Sequence, residues 1–196
     1  MLSKEYIKNN LEKVYSEKGY KFFKGELSVN VFGIRCQTGT NNWDDIIGVS
    51  WYENGELQLL TFDATTDPGT HWLKNPMRKS GCAIMVEGQY RGAYMVGPHG
   101  RSRYEACRQA KPIPVYRDNN KDSNHDLNPD TIEKGLFYTN IHHGWSSKYV
   151  NKNSAGCMVI KSKAKFEKQF MPIIKKSCKK YGKHFTFTLL NIKDFS

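Results

Sequence analysis

Asn54-Gly55 separates two short apolar runs, Trp51-Tyr52 before it and Leu57-Gln58-Leu59-Leu60 after it. A two-residue hairpin needs positive φ at both central positions, and Asn and Gly tolerate that better than other residues. The chain is therefore committed to antiparallel β structure at this point. Segments of the same kind recur on both sides of it. Residues 29–36, 46–52, 57–62, 82–87 and 93–96 are short, apolar or alternating, and rich in β-branched and aromatic side chains. Asp67-Pro68-Gly69 is a further sharp turn between them.

Helical spacing is confined to the two ends. In residues 3–18, Ser3 is placed to cap, Tyr6, Ile7, Leu11, Val14 and Tyr15 fall on one side, and Gly19 ends the run. In residues 163–181, Phe166, Phe170, Ile173, Ile174, Cys178 and Tyr181 share a side, and Pro172 kinks or divides the helix. Residues 104–110 read as a short helix, followed by an extended run that Pro112 and Pro114 force into Val115-Tyr116. Residues 119–130 form a polar loop. Residues 136–141 read as the strand that delivers His142, with Met158-Val159-Ile160 as its partner and 185–192 as a final strand. The pattern predicts a mainly β fold with flanking helices, of α+β class. No repeat or linker divides the sequence, so residues 1–196 read as a single domain with the helix of 1–19 packed on it.

Charge bounds the partners. The chain carries 30 Lys and Arg against 19 Asp and Glu, a net +11, which attracts polyanions: anionic cell-envelope polymers, membrane surfaces or nucleic acid. Its densest lysine cluster is Lys175, Lys176, Lys179, Lys180 and Lys183. The five cysteines form no CxxC pair, which argues against a zinc knuckle and a complete disulfide framework. No apolar run is long enough to span a bilayer, and Met1-Leu2-Ser3-Lys4-Glu5 lacks a signal-peptide core. Synthesis in the cytoplasm is the expectation.

One constellation carries chemistry. His142 lies in Asn140-Ile141-His142-His143-Gly144, ahead of Ser154-Ala155-Gly156-Cys157. A thiol attacks as thiolate, and a nearby imidazole is the usual means of making one. Gly156 permits a tight bend before Cys157, so that the N–H groups of Gly156 and Cys157 could face a reacting carbonyl oxygen. Ser154 either holds this turn through its hydroxyl or contacts substrate. His143, on a strand, points to the face opposite His142; it is the fallback for the base, and its carbonyl could orient the His142 ring. The alternative for His142 is a strand-end histidine bonded to a backbone carbonyl.

His…Ser-x-Gly-Cys followed by apolar residues resembles the signature of the L,D-transpeptidase (YkuD-like) family. Phe32-Gly33-Ile34-Arg35, Thr65-Thr66-Asp67-Pro68-Gly69, Arg117-Asp118, Asn140-Ile141-His142 and Ser154-Ala155-Gly156-Cys157 occur in the order of phage-encoded relatives, over roughly residues 20–192. The resemblance implies a curved β-sandwich with Cys and His at a cleft. It implies Cys157 as nucleophile, His142 as base, and peptidoglycan stem peptides as substrate. The products would come from transpeptidation, or from carboxypeptidase or endopeptidase cleavage of an endolysin kind. It also implies action at the bacterial cell wall, after release from the cell or as a virion component. The chain departs from bacterial members at Ala155, where they carry a second histidine.

Further residues are candidates for substrate binding. Gly97-Pro98-His99-Gly100-Arg101 reads as an exposed loop whose His99 and Arg101 could hold a substrate carboxylate, and Arg117 could share that role. Asp118, Asn120, Asp122, Asn124 and Asp126 alternate along a loop, as ligands of a hard cation do. The EF-hand positions for Gly and Glu hold Ser123 and Pro129, so a solvated acidic loop is the reading taken. A structural calcium at Asp118, Asn120 and Asp122 is the alternative to it. No cofactor is expected and no catalytic metal. No P-loop, HExxH or GxSxG motif is present. The competing functions are a non-catalytic wall- or nucleic-acid-binding module and a phage structural protein.

Overall fold

The computed structural model describes residues 2–36 and 38–196. Strand outweighs helix, 37% to 25%, so the molecule is mainly β with flanking helices. Eleven strands occur among the described residues: β1 Asn30–Arg35, β2 Asp45–Glu53, β3 Glu56–Thr65, β4 Cys82–Met85, β5 Gly88–His99, β6 Tyr104–Gln109, β7 Ile113–Asp118, β8 Glu133–Gly135, β9 Ile141–His143, β10 Met158–Ile160 and β11 His184–Asn191. Eight of them close into a barrel in the order β1-β11-β5-β6-β9-β10-β3-β2, and β4-β7-β8 form a separate small sheet. Closure leaves the larger sheet without an exposed edge.

The hairpin at Asn54-Gly55 joins β2 to β3, with Glu53 opposite Glu56 and φ of 55° and 80° at the turn. Helix α1, Lys4–Glu17, is capped by the Ser3 hydroxyl, which accepts from the Tyr6 N–H at 3.1 Å. Its Ile7, Leu11, Val14 and Tyr15 pack against Phe32, Ile34, Ile46 and Leu190. That explains why β1 is buried on both faces: Phe32 and Ile34 meet α1, while Val31 joins the main core with Ile47, Phe62, Phe187 and Leu189.

Three segments differ from the sequence reading. Of residues 104–110, Tyr104–Gln109 form strand β6, because register with β5 (His99 opposite Tyr104, Val96 opposite Cys107) overrides a weak helical pattern. The strand that delivers His142 is only Ile141–His143, since Gln109 Oε1 accepts from Phe137 and Thr139 N–H groups and keeps that stretch out of a ladder. Helix α2 is Thr70–Lys74, and the C-terminal helix is divided into α3 Lys163–Lys165, a π-helical turn Phe166–Phe170, and α4 Met171–Tyr181, with Pro172 in the first turn of α4, where the π-helical turn meets it.

β9 and β10 position the histidine and the cysteine side by side. They run parallel, with Met158 opposite Ile141, Val159 opposite His142 and Ile160 opposite His143. Side chains alternate along both strands. Ile141, Met158 and Ile160 therefore enter the main core, and His142, Val159 and Cys157 share the other face.

Candidate active site

Cys157 sits one residue before β10, at the end of a turn built by Ser154. The Ser154 hydroxyl donates to the Cys157 carbonyl at 2.7 Å and accepts from the Gly156 N–H at 3.2 Å. Ser154 is fully buried, so of its two roles the structure places it in the turn and away from a ligand. The Gly156 N–H is spent on this contact and is not free to meet an oxyanion, which corrects the expectation from sequence; the Cys157 N–H is the remaining candidate. Gly156 has φ +124°, and a Cβ there would lie 2.2 Å from the Ala83 carbonyl oxygen of β4. The turn is braced from its other side by the Asp67-Pro68-Gly69 turn, whose Gly69 N–H donates to the Ser154 carbonyl at 2.9 Å.

The His142 ring is buried and its Nδ1 lies 2.9 Å from the His143 carbonyl oxygen. A carbonyl only accepts, so Nδ1 carries the proton and Nε2 holds the lone pair of a base. Burial pushes the imidazole down to about 3, with a further push from neighbouring His99. His143 is likewise pinned, Nδ1 donating to the Gly144 carbonyl at 3.0 Å, and its ring packs among Tyr104, Phe166 and Trp145 at the wall of the same cleft.

The thiol is not paired with an imidazole. Sγ donates to the Tyr138 carbonyl at 3.4 Å, a carbonyl aimed there by left-handed backbone at Tyr138 (φ 60°). Burial raises the thiol to about 11, and the Asn140 backbone N–H offsets this in part. At neutral pH the pair is thus thiol and neutral imidazole, so the proton transfer that makes the thiolate belongs to the attack itself.

Both side chains open into one cleft of about 490 Å³, shared with His99, Arg101, Tyr104, His143, Trp72, Met77, Trp145 and Lys152. His99 ends β5 rather than lying in a loop; the turn is Gly100–Arg103. Its Nδ1 accepts from Asn140 Nδ2 at 3.0 Å, an assignment fixed because Asn140 Oδ1 already accepts from the Gln109 N–H at 2.9 Å. Arg101 is exposed at the cleft mouth.

Arg117 is not in the cleft. It lies on β7, bonded to Glu133 at 2.9 Å and stacked on Phe137 at 4.5 Å, so the small sheet takes the charge that the sequence assigned to substrate. The acidic loop also closes on itself. Asn120 Nδ2, a donor, meets the carboxylates of Asp122 and Asp126 at 3.0 and 2.8 Å, and Asp118 accepts from the Asp126 N–H. Among the described residues no group of three His, Cys, Asp or Glu is placed to hold a metal ion. Among the described residues no helix is long and apolar enough to cross a membrane.

Sequence reasoning missed the cleft walls. Trp72 lines the cleft, its indole N–H donating to the Lys152 carbonyl at 3.2 Å. Trp145 is 72% exposed. An aromatic residue directly after His-His-Gly was the available signal, since a large exposed ring calls for an explanation that a buried one does not. No family model, curated protein or solved structure matches this chain.

Proposed function

We propose that the protein is a cysteine-dependent acyl-transfer enzyme acting on peptidoglycan stem peptides, with Cys157 as nucleophile and His142 as base. The observation that carries the reading is the tautomer of His142. Its Nδ1–H is committed to the His143 carbonyl, so its Nε2 lone pair is free, on the sheet face it shares with Cys157 and in the same cleft. The substrate and the L,D-transpeptidase-like curved-sandwich domain over residues 1–196 rest on the motif resemblance.

The chemistry follows from a neutral pair. As the carbon–sulfur bond forms at a peptide carbonyl, the Sγ proton passes to His142 Nε2. The tetrahedral oxyanion has the Cys157 N–H as its donor. The C–N bond then breaks, the imidazolium returns its proton to the leaving amine, and a thioester remains. An amine resolves the thioester in transpeptidation, and water resolves it in hydrolysis. Arg101 at the mouth suits a stem-peptide carboxylate.

The test is mass spectrometry of muropeptides treated with wild type and Cys157→Ala, with and without an added D-amino acid. Exchange of the terminal residue in wild type alone indicates transfer; shortened peptides without exchange indicate hydrolysis. Equal activity in Cys157→Ala rejects the reading. A second reading, a binding module on the same scaffold, is favoured by the thiol held near 11 and the net +11 charge. It requires that neither protein alter any muropeptide.

A further inference from the structure

A groove of about 790 Å³ opens on the barrel far from the thiol. One wall is Lys21 to Gly25, the other is Arg91 with Lys111, and Tyr181 and His184 close its end. Along β5 the eight steps from Arg91 to His99 span roughly 26 Å, so the groove and the Cys157 cleft lie near opposite ends of one strand.

Its lining has one sign of charge. Lys21, Lys24, Arg91 and Lys111 are all exposed, and no Asp or Glu lines it among the described residues. Lys24 is offset by Glu12, but Lys21, Arg91 and Lys111 make no salt bridge among the described residues. Lys111 is instead held by the Arg91 carbonyl, Nζ to O 3.1 Å, which fixes its ammonium beside the Arg91 backbone. The lysine-rich end of α4 extends the field, with Lys179, Lys180 and Lys183 flanking Tyr181.

The geometry points to a binding site for a phosphodiester polymer that lacks bases, of the polyol-phosphate kind found in wall polymers. Charge complementarity selects a polyanion. The rings select among polyanions. Single-stranded nucleic acid is held by open aromatic faces on which successive bases stack. Here Phe22 and Phe185 are buried, Phe23 carries the Arg91 guanidinium at 5.4 Å, and Tyr181 carries Lys180 at 5.6 Å. The two rings that are not buried each carry a cation on a face instead of standing as open platforms, and what the groove presents is a cluster of cations. The inference goes beyond the acyl-transfer reading and does not depend on it.

The experiment measures binding of a synthetic glycerol phosphate oligomer and of oligothymidylate with the same phosphate count, across a salt series. The expected result is tighter binding of the glycerol phosphate oligomer. Its log-log salt slope should be about −2 to −3, from three or four neutralised phosphates. Arg91→Ala/Lys111→Ala should weaken it roughly tenfold and flatten the slope by about one to two, while Arg91→Lys/Lys111→Arg restores it. Lys165→Ala/Lys168→Ala, an equal charge loss on another surface, should change it less than twofold by the same reasoning. Cys157→Ala should bind like wild type, which separates this site from the cleft. The proposal is overturned by equal losses in the two double-alanine variants, by tighter binding of oligothymidylate, or by no salt-dependent binding at all.

Discussion

The His99 imidazole lies over that of His142, with ring centroids 4.3 Å apart and planes within 20°. His99 is itself fixed through Asn140, whose other amide atom is bonded to Gln109. The end of the β5–β6 hairpin thereby roofs the candidate base and keeps water from one face of it. A second imidazole so close also opposes a positive charge on His142, which adds to the effect of burial.

Removing that roof should raise the basicity of His142. In His99→Ala, water reaches the ring and the neighbouring imidazole is gone, so both causes of the depression weaken. The His142 titration should move up from about 3 toward its ordinary 6.5. Histidine proton resonances followed against pH would report it directly, and the acid limb of kcat/KM should move with them. An unmoved titration would mean that burial by the sheet alone sets the value.

The same depression makes stability depend on pH. The unfolded chain takes up a proton at His142 near 6.5, whereas the folded chain resists until about 3. Between those values the unfolded state binds more protons, so stability falls as pH drops through this window, by a few kcal/mol in total. His142→Gln should lose that part of the dependence. Urea denaturation of both proteins at pH 7 and pH 4.5 should show the wild type losing about 2 kcal/mol more than the variant.

Alkylation tests the resting state of the thiol. Cys157 held near 11 should react slowly with iodoacetamide at pH 7, with a rate that climbs about tenfold per pH unit up to that value. A plateau below pH 8 would show a thiolate stabilised by His142 before substrate arrives.

The parts of the fold governed by local chemistry were legible in the sequence. Asn54-Gly55 dictates its hairpin by φ alone, and Ser3 with Ile7, Leu11 and Val14 dictates α1 by cap and period. Residues 104–110 were not legible, because β6 exists through pairing with β5 and β9, and no residue within it announces those partners. The site divides along the same line. The Cys157 turn and the opposite facing of His142 and His143 follow from short-range rules. The stacking of His99 on His142, the Tyr138 carbonyl on the thiol and the diversion of Arg117 to Glu133 depend on residues 16 to 43 positions away. The Gly156 N–H shows how even a local motif can mislead, since the serine that shapes the turn also consumes the donor.

Gly156 should tolerate no side chain. Alanine there must hold φ near +124° and place its Cβ 2.2 Å from the Ala83 carbonyl oxygen, a backbone atom that cannot swing aside. Either β4 retreats or the Cys157 turn rebuilds. Gly156→Ala should lose about 2–4 kcal/mol in urea denaturation, by backbone strain and overpacking together, and should lose muropeptide activity even at temperatures where it remains folded. Ala155→Gly, in the same turn, should lose less than about 1 kcal/mol.

Arg35 supports the same turn from beneath the surface. It is 1% exposed and grips Asp67 with Nη2 at 2.8 Å and Nε at 3.2 Å, while Nη1 meets Glu87 at 2.9 Å and Nη2 also meets the Met85 carbonyl. Asp67 opens the Asp-Pro-Gly turn that bonds to Ser154, and it lies beside Asp45, whose carboxyl is pushed up above the usual carboxylate range by burial and by Asp67 itself. Arg35→Met leaves two buried carboxylates facing each other without a cation. The expected cost is about 3–5 kcal/mol at pH 7, the scale for stripping one partner from a buried pair. It should shrink as pH falls, because in the variant the folded state holds on Asp45 a proton that the unfolded chain releases above about pH 4; stability therefore rises on acidification through that window. Glu87→Gln should cost about 1 kcal/mol or less, since its carboxylate is 26% exposed and water can take its place. Urea denaturation of the three proteins at pH 5 and pH 7 checks both statements. A penalty for Arg35→Met that is the same at the two pH values would mean that lost packing of the long side chain, and not the unpaired carboxylates, is what the arginine prevents.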